Sequence, residues 1–191
     1  QAVNGEVVSE IGFFTPDDGG AFSFAYVGDP QIGASGSAAN DTSGWDNTLN
    51  IVAQNDIFSD ISFLLSAGDQ VNTASSESEY DGYLNHAALK DLPVATIIGN
   101  HDSGSDAYSE HFNVPNESVA YGTTTAGGNY WFVYNNALFM MLNTNDLSTA
   151  EHKAFMEEAI AANPNVDWKI VSFHQSIYTV ASHYNNDGTS R

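Results

Sequence analysis

Four short polar motifs each follow an apolar run in this chain, and their side chains are of the types that bind metal ions. The apolar runs FSFAYV, ISFLLSA, VATII and WKIVSF precede Gly28-Asp29, Gly68-Asp69, Gly99-Asn100-His101-Asp102 and His174, respectively. Carboxylate and amide oxygens and imidazole nitrogens suit hard and borderline metal ions. Ligands of open α/β sheets collect outside the carboxyl ends of the strands. Donors after four such runs therefore predict a metal site.

The two Gly-Asp pairs suggest a particular kind of metal site. Asp29 and Asp69 each follow a glycine, so each carboxylate can project from a tight turn. Two metal ions about 3.5–4 Å apart can clamp the attacking and leaving oxygens of a phosphoryl transfer, and a shared carboxylate holds such a pair together. Aspartate after glycine is also common turn chemistry. Metal binding and simple turn formation therefore both remain open for these two residues.

The third and fourth motifs add neutral donors. Asn100 offers an amide oxygen, which binds a hard metal without adding charge. His101 beside it could hold a phosphate oxygen or protonate a leaving group. His174 ends its apolar run, where a lone histidine is more often structural. Because it is the fourth donor at such a position, we interpret it as a metal ligand.

The segments between the motifs predict the elements that would position them. Apolar residues recur at helical spacing over residues 45–57 and 80–88, and an S-x-x-E capping box at Ser148 begins a helix that ends at Asn163-Pro164. Residues 129–143 consist of two apolar runs around Asn135-Asn136, which predicts a hairpin. Alternating strands and helices predict an α/β domain with a largely parallel sheet.

Composition narrows the set of partners. The 191 residues include 24 Asp and Glu but only 4 Lys and Arg, which gives a net charge of −20. This balance argues against binding to long nucleic acids or anionic membranes. No apolar stretch approaches the ~18–20 residues of a membrane span, and the absence of cysteine excludes disulfides and thiolate ligands. The few basic residues, with many Asn, Ser, Thr and Gly, favour an extracellular or cell-surface protein.

Both ends suggest a piece of a longer protein. Arg191 is the last residue and the sole arginine, and it follows a polar run. Trypsin-like cleavage of an exposed loop and a chosen boundary both explain this end. Residues 6–14 (EVVSEIGFF) are predicted to form a strand, followed by a turn-rich linker at 15–20. The strand is either the last of a preceding domain or an edge strand of this one.

In order and type, these motifs resemble those of the calcineurin-type metallophosphoesterase superfamily, nearest to its purple acid phosphatase-like branch. That family carries G-D, a second G-D, G-N-H-D/E, a single His and then G-H-x-H. The match at 99–102 is specific, whereas each G-D alone is weak. The resemblance covers residues 22–191 and implies the first half of an α/β/β/α sandwich with mostly parallel central strands. Residues 1–20 would be a strand and linker from a preceding fibronectin-like domain, and 21–191 the N-terminal part of the catalytic domain.

The resemblance also implies a metal ligand set. Asp29 would bind the first of two metal ions, and Asp69 would bridge both. Asn100 and His174 would bind the second. The metals would be Fe, Zn or Mn.

Other motif residues are assigned to the substrate or mark departures from the family. His101 would contact the phosphate and assist the leaving group, and His183 matches a substrate-side histidine of the purple acid phosphatases. Gln31 stands where many members have the histidine of D-x-H, and Asn72 where purple acid phosphatases have the tyrosine that colours their iron. Asp102, the last residue of G-N-H-D, is a further candidate. The G-H-x-H motif, with one histidine for each metal, is expected beyond residue 191.

The resemblance implies dinuclear-metal-dependent hydrolysis of phosphate esters, by direct attack of a metal-bound hydroxide on phosphorus. The isolated chain would hold a partial, inactive site. Its expected partners are a small phosphate ester and a second chain that carries the C-terminal part of the domain, or a second copy of itself. One alternative is an inactive surface or binding module of the same fold. Another is a nuclease or a nucleotide or cyclic-nucleotide phosphodiesterase that uses the same site.

Overall fold

The computed structural model describes residues 16–54 and 61–177, together with two short strands near the N-terminus. These strands, β1 (Val3–Asn4) and β2 (Val7–Val8), pair antiparallel. The strand predicted over 6–14 coincides with described structure only at β2. The assignment of residues 1–20 to a preceding domain therefore stays a prediction.

The first sheet has three parallel strands in the order β3-β4-β5. They are β3 (Ser23–Val27), β4 (Ile61–Ser66) and β5 (Val94–Thr96). Five of the six residues of β4 are buried, as expected for a central strand covered on both faces. Each strand ends just before one of the polar motifs, so three motifs lie along one edge of this sheet.

Helices pack on the outer face of the first sheet. Helix α1 (Ala38–Gln54) follows β3, and α2 (Glu77–Leu84) follows β4, with a 3₁₀ turn at Ala87–Lys90. The helix predicted over 80–88 is thus interrupted after Leu84. Helical structure resumes after His86, whose Nδ1 accepts a hydrogen bond from the Ala88 N–H and caps the 3₁₀ turn.

The second sheet combines the predicted hairpin with a parallel strand. It has the order β6-β7-β8, in which β6 and β7 are antiparallel and β7 and β8 are parallel. Its strands are β6 (Tyr130–Tyr134), β7 (Ala137–Leu142) and β8 (Trp168–Phe173). A short helix, α3 (Ala107–His111), precedes the hairpin. Helix α4 (Thr149–Ala162) connects β7 to β8, and the Ser148 hydroxyl caps it by accepting from the Glu151 N–H.

The two sheets face each other across an aromatic core. Phe63 of β4 meets Phe139 of β7 edge-on, with the ring centroids 5.4 Å apart. On the outer faces, Leu49 of α1 packs against the first sheet and Phe155 of α4 against the second. The layers are therefore helix, sheet, sheet, helix, which confirms the α/β/β/α fold class. Within the described residues, no helix combines the length and apolar character needed to cross a membrane.

Candidate metal centre

The loops after β3 and β4 run side by side and have the same backbone conformation. Asp29 and Asp69 both adopt φ = 52°, in the left-handed region that few residues other than glycine occupy. The Asp29 N–H donates to the Gly68 carbonyl at 3.2 Å, and the Gln31 N–H donates to the Asp69 carbonyl at 2.8 Å. These bonds continue the strand pairing beyond β3 and β4 and hold the two aspartates next to each other.

The G-N-H-D loop after β5 presses closely on Asp69. A Cβ atom at Gly99 would overlap the backbone nitrogen and a carboxylate oxygen of Asp69, so only glycine fits there. The His101 N–H donates to Asp69 Oδ1 at 2.8 Å. Asp69 is 3 % exposed. Its position is thus fixed by two neighbouring loops, not by its own turn alone.

Asp102 holds the loops after β4 and β5 together through hydrogen bonds to their backbones. It is fully buried and accepts hydrogen bonds from four backbone N–H groups, those of Gly99, Asp69, Gln70 and Val71. Burial raises the pKa of Asp102 to about 6, although the N–H groups favour the charged form. Both of its oxygens are engaged by the backbone. Asp102 therefore joins the loops that carry the predicted ligands and does not face the site as a ligand itself.

His174 brings a nitrogen donor from the second sheet. Its Nδ1 lies 2.8 Å from the Ala67 carbonyl, which can only accept, so Nδ1 carries a hydrogen. Nε2 then faces the other donors, 3.3 Å from Asp69 Oδ2 and 3.1 Å from Asn100 Oδ1. Burial lowers the pKa of His174, but the hydrogen bonds to Asp69 and the Ala67 carbonyl outweigh it and raise the pKa to about 9.

The structure brings most of the predicted ligands together. One donor atom each from Asp29, Asp69 and His174 lies within 4.8 Å of the others, and Asn100 Oδ1 contacts the same nitrogen of His174 as Asp69 does. The pKa of Asp29 is raised, mainly by partial burial and also by the neighbouring Asp69 carboxylate, against the opposing effect of His174 and His101. Two carboxylates, an amide and an imidazole in one cluster fit a hard or borderline cation. That they bind metal stays a prediction.

The predicted substrate-side residues are only partly described. His101 is half-buried beside Asp69, and its Nδ1 donates to the Asn72 carbonyl at 2.8 Å, which leaves Nε2 for acid–base chemistry. Gln31 and Asn72 contact each other through a side-chain hydrogen bond. His183 lies outside the described residues.

Sequence reasoning missed two residues next to the cluster. Asn145, after β7, and Gln175, after His174, are hydrogen-bonded to each other. Neither belongs to a motif with a recognisable spacing, so the sequence held no signal for them.

A large cavity lies elsewhere. It has a volume of about 660 Å³ and is lined mainly by apolar residues, including Phe63, Val94 and Phe132. Val94 is the first residue of β5, whereas the predicted ligands follow the carboxyl ends of the strands. The lining extends to Thr96 at the carboxyl end of β5 but includes none of the predicted ligands, so the cavity is separate from the donor cluster.

Comparison with known proteins places this chain in a family. A family model for calcineurin-like phosphoesterases matches residues 22–191. Among solved structures, the purple acid phosphatase PPD1 from yellow lupin (Lupinus luteus) seeds is similar, with a TM-score of 0.63 and 20% sequence identity. The alignment covers 93% of this chain and 34% of that chain, so the chain spans about a third of the length of that phosphatase. No curated protein sequence matches the chain. Because the family model extends over most of its length, the chain belongs to the calcineurin-like phosphoesterase family.

Proposed function

We propose that this chain contributes part of a dinuclear metal site that hydrolyses phosphate esters. The observation that carries the proposal is the convergence of Asp29, Asp69 and His174 donor atoms within 4.8 Å at the carboxyl ends of strands from both sheets. The family to which the chain belongs acts on phosphoester bonds, which supports the same class of reaction for this chain. The proposed metals are Fe, Zn or Mn.

The donor types fit two cations. Asp29 would hold one ion, Asn100 and His174 the other, and Asp69 would serve both. Asp69 is suited to the role of shared ligand because its two carboxylate oxygens have different neighbours. Oδ1 lies against the loop of Gly99 and His101, and Oδ2 contacts His174 Nε2. When bound, the metal ions would lower the pKa of a water molecule and offset the negative charge of a phosphate.

The charge of the chain supports this role for cations. Only four residues are Lys or Arg, and none is among the residues of the donor cluster. A phosphate at this cluster would face the carboxylates of Asp29 and Asp69, which would repel it. Bound cations are therefore the only positive charges within the named cluster that could hold a phosphate, apart from a protonated histidine.

His101 is proposed as the general acid. Its Nδ1 is held by the Asn72 carbonyl, which orients the ring and leaves Nε2 to carry a proton toward the leaving oxygen. Its backbone N–H is hydrogen-bonded to Asp69, which keeps His101 next to the donor cluster without making it a ligand.

We also propose that further donors come from a part of the protein outside these residues, along the open edge formed by β3 and β8. Tyr26 of β3 and Trp168 of β8 are 57 % and 66 % exposed, although both are large and apolar. The two strands lie near each other, since the Tyr26 and Ser172 hydroxyls are 3.4 Å apart. Additional strands from a later segment or from a second chain would cover these side chains.

The low content of basic residues supports an extracellular or cell-surface location for the protein.

The test uses the complete protein, stripped of metal with a chelator and reloaded with Mn²⁺, Zn²⁺ or iron. We expect two bound ions and metal-dependent hydrolysis of p-nitrophenyl phosphate. Preferential cleavage of bis(p-nitrophenyl) phosphate would favour a phosphodiesterase instead. Two bound ions without turnover of either ester would favour a binding module. A protein that binds no ion would contradict the proposal.

A further inference from the structure

Asn145 is bonded to the backbone that leads into Asn100. Its side-chain amide donates to the carbonyls of Ile98 and Gly99, each at 3.1 Å. These carbonyls immediately precede Asn100 in the chain. Because the amide spans two consecutive peptide groups, it fixes the direction in which the chain enters the G-N-H-D loop.

The same side chain is bonded to the residue that follows His174. Gln175 donates from Nε2 to Asn145 Oδ1 at 3.2 Å, and its Oε1 accepts a hydrogen bond from the Thr144 hydroxyl. The carboxamide of Gln175 is thus held at both ends by consecutive residues of the loop after β7. His174, one residue earlier, inherits this restraint through the backbone.

The loop after β7 is itself anchored in the core. Asn143 is 2 % exposed, and its Oδ1 lies 2.9 Å from Asn145 Nδ2, whose two hydrogens it shares with the Ile98 and Gly99 carbonyls. The side-chain nitrogen of Asn143, Nδ2, donates to the Gly122 carbonyl at 3.0 Å. Asn145 is therefore attached to a buried polar group and has little freedom to follow movements of the two ligand loops.

These contacts form a closed path with the two donors. Asn100 Oδ1 and His174 Nε2 are 3.1 Å apart, and Asn145 with Gln175 connects the backbones behind them. We propose that Asn145 and Gln175 are positioning residues that set the separation of Asn100 and His174, and so the affinity for the second metal ion. This inference rests on the proposed dinuclear site. Partners one shell beyond the ligands typically contribute about 10–100-fold in metal affinity.

The test compares Asn145→Ala, Gln175→Met and the double variant with wild type, in the complete protein. Asn163→Ala is the matched control, because its amide also donates to a backbone carbonyl, that of Ala159, at the end of α4. Mn²⁺ binding is followed by isothermal titration calorimetry, and the melting temperature is measured without metal. Gln175→Met keeps the test valid if Asn145→Ala does not fold, since the bonds of the Gln175 carboxamide to Thr144 and Asn145 involve side chains only.

We expect each single variant to bind one of two Mn²⁺ ions about 10–100-fold more weakly and the other ion as in wild type. The double variant should bind that ion as weakly as the more affected single variant, because Asn145 and Gln175 are consecutive links of one path between the two ligand loops. Unchanged affinity for both ions, equal weakening of both, or multiplied effects in the double variant would overturn the inference but leave the proposed function standing. A wild-type protein that binds no Mn²⁺ would contradict the proposed function itself.

Discussion

The side chains of Gln31 and Asn72 are hydrogen-bonded to each other, with Gln31 Nε2 3.2 Å from Asn72 Oδ1. At position 31 many members of the family are expected to have histidine, and at position 72 the purple acid phosphatases are expected to have tyrosine. The departures therefore form one contact between the first two ligand loops. Two amides add no charge and no phenolate to the site.

Iron loaded into the complete protein should give no tyrosinate colour, because an amide at position 72 cannot transfer charge to Fe³⁺ as a phenolate does. Asn72→Tyr is expected to gain a visible absorption band. The measurement is an absorption spectrum of both proteins at equal iron content. A strong visible band in the iron-loaded wild type would show that another tyrosine reaches the metal.

Asp69 and His101 should respond differently to substitution. Asp69→Asn is expected to weaken binding of both metal ions and abolish hydrolysis, because Asp69 is the proposed shared ligand. His101→Ala should keep both ions and slow turnover by about 10²–10⁴-fold, as loss of a general acid would. Metal content by elemental analysis and the rate on p-nitrophenyl phosphate are read independently.

Loss of metal from His101→Ala to the same degree as from Asp69→Asn would show that His101 is not merely an acid. Full activity in both variants would locate the catalytic site elsewhere.

Asp102→Asn should destabilise the metal-free protein. The amide would present N–H groups to backbone N–H groups that now donate to the carboxylate, and each buried group left without a partner costs about 1–3 kcal/mol. Denaturant unfolding measures the change. Asp106→Asn is the control, since Asp106 is exposed. Equal stability of the two variants would mean that the four N–H contacts of Asp102 contribute little.

Gly99→Ala should disturb the site more than Gly104→Ala. A Cβ at Gly99 would overlap the backbone of Asp69, which cannot move aside as a side chain could, whereas a Cβ at Gly104 would make an ordinary 3.5 Å contact with Ala74. Overpacking of this kind costs about 1–3 kcal/mol. The melting temperature and the Mn²⁺ affinity should both be lower in Gly99→Ala than in wild type. A fully tolerated Gly99→Ala would mean that the loop can shift away from Asp69.

Metal binding should release a proton from His174. In the metal-free protein its pKa is raised from 6.5 to about 9, so at pH 7 Nε2 is protonated and a metal ion must displace that proton. Affinity should therefore increase as the pH rises toward 9. Calorimetry at pH 7 in buffers of different ionisation enthalpy counts the protons.

The same shift has a stability counterpart in the metal-free protein. Because the folded-state pKa is the higher one, the contribution of His174 is fully present below pH 6.5 and is lost as the pH rises through about 9. The stability difference between wild type and His174→Ala should shrink over that window. A metal affinity that falls between pH 7 and 9 would contradict a protonated Nε2 on His174 in the metal-free protein.

The parts of the fold that follow periodicity were predictable. The hairpin around Asn135 and the helix capped by Ser148 are confirmed, because two apolar runs joined by a turn and a capping box are local features. Helix α1, in contrast, begins at Ala38 and not near residue 45. Its first two turns are mostly polar, so no apolar repeat marks them.

The site was predictable only where a motif carries it. Asp29, Asp69, Asn100 and His174 could be named because each follows an apolar run. The Asn145–Gln175 contact joins residues 30 positions apart, and such a pair is created by the docking of two loops, not by their spacing. The backbone role of Asp102 was hidden for the same reason, since three of its four partners, Asp69, Gln70 and Val71, lie on the loop after β4.

The donor cluster draws on both sheets, with Asp29, Asp69 and Asn100 from one and His174 from the other. The cluster can form only after the two sheets have packed together, so an ion bound there would link one sheet to the other. By mass action, its binding energy would then also resist separation of the layers. Chelation would therefore lower the stability of the whole molecule as well as abolish catalysis.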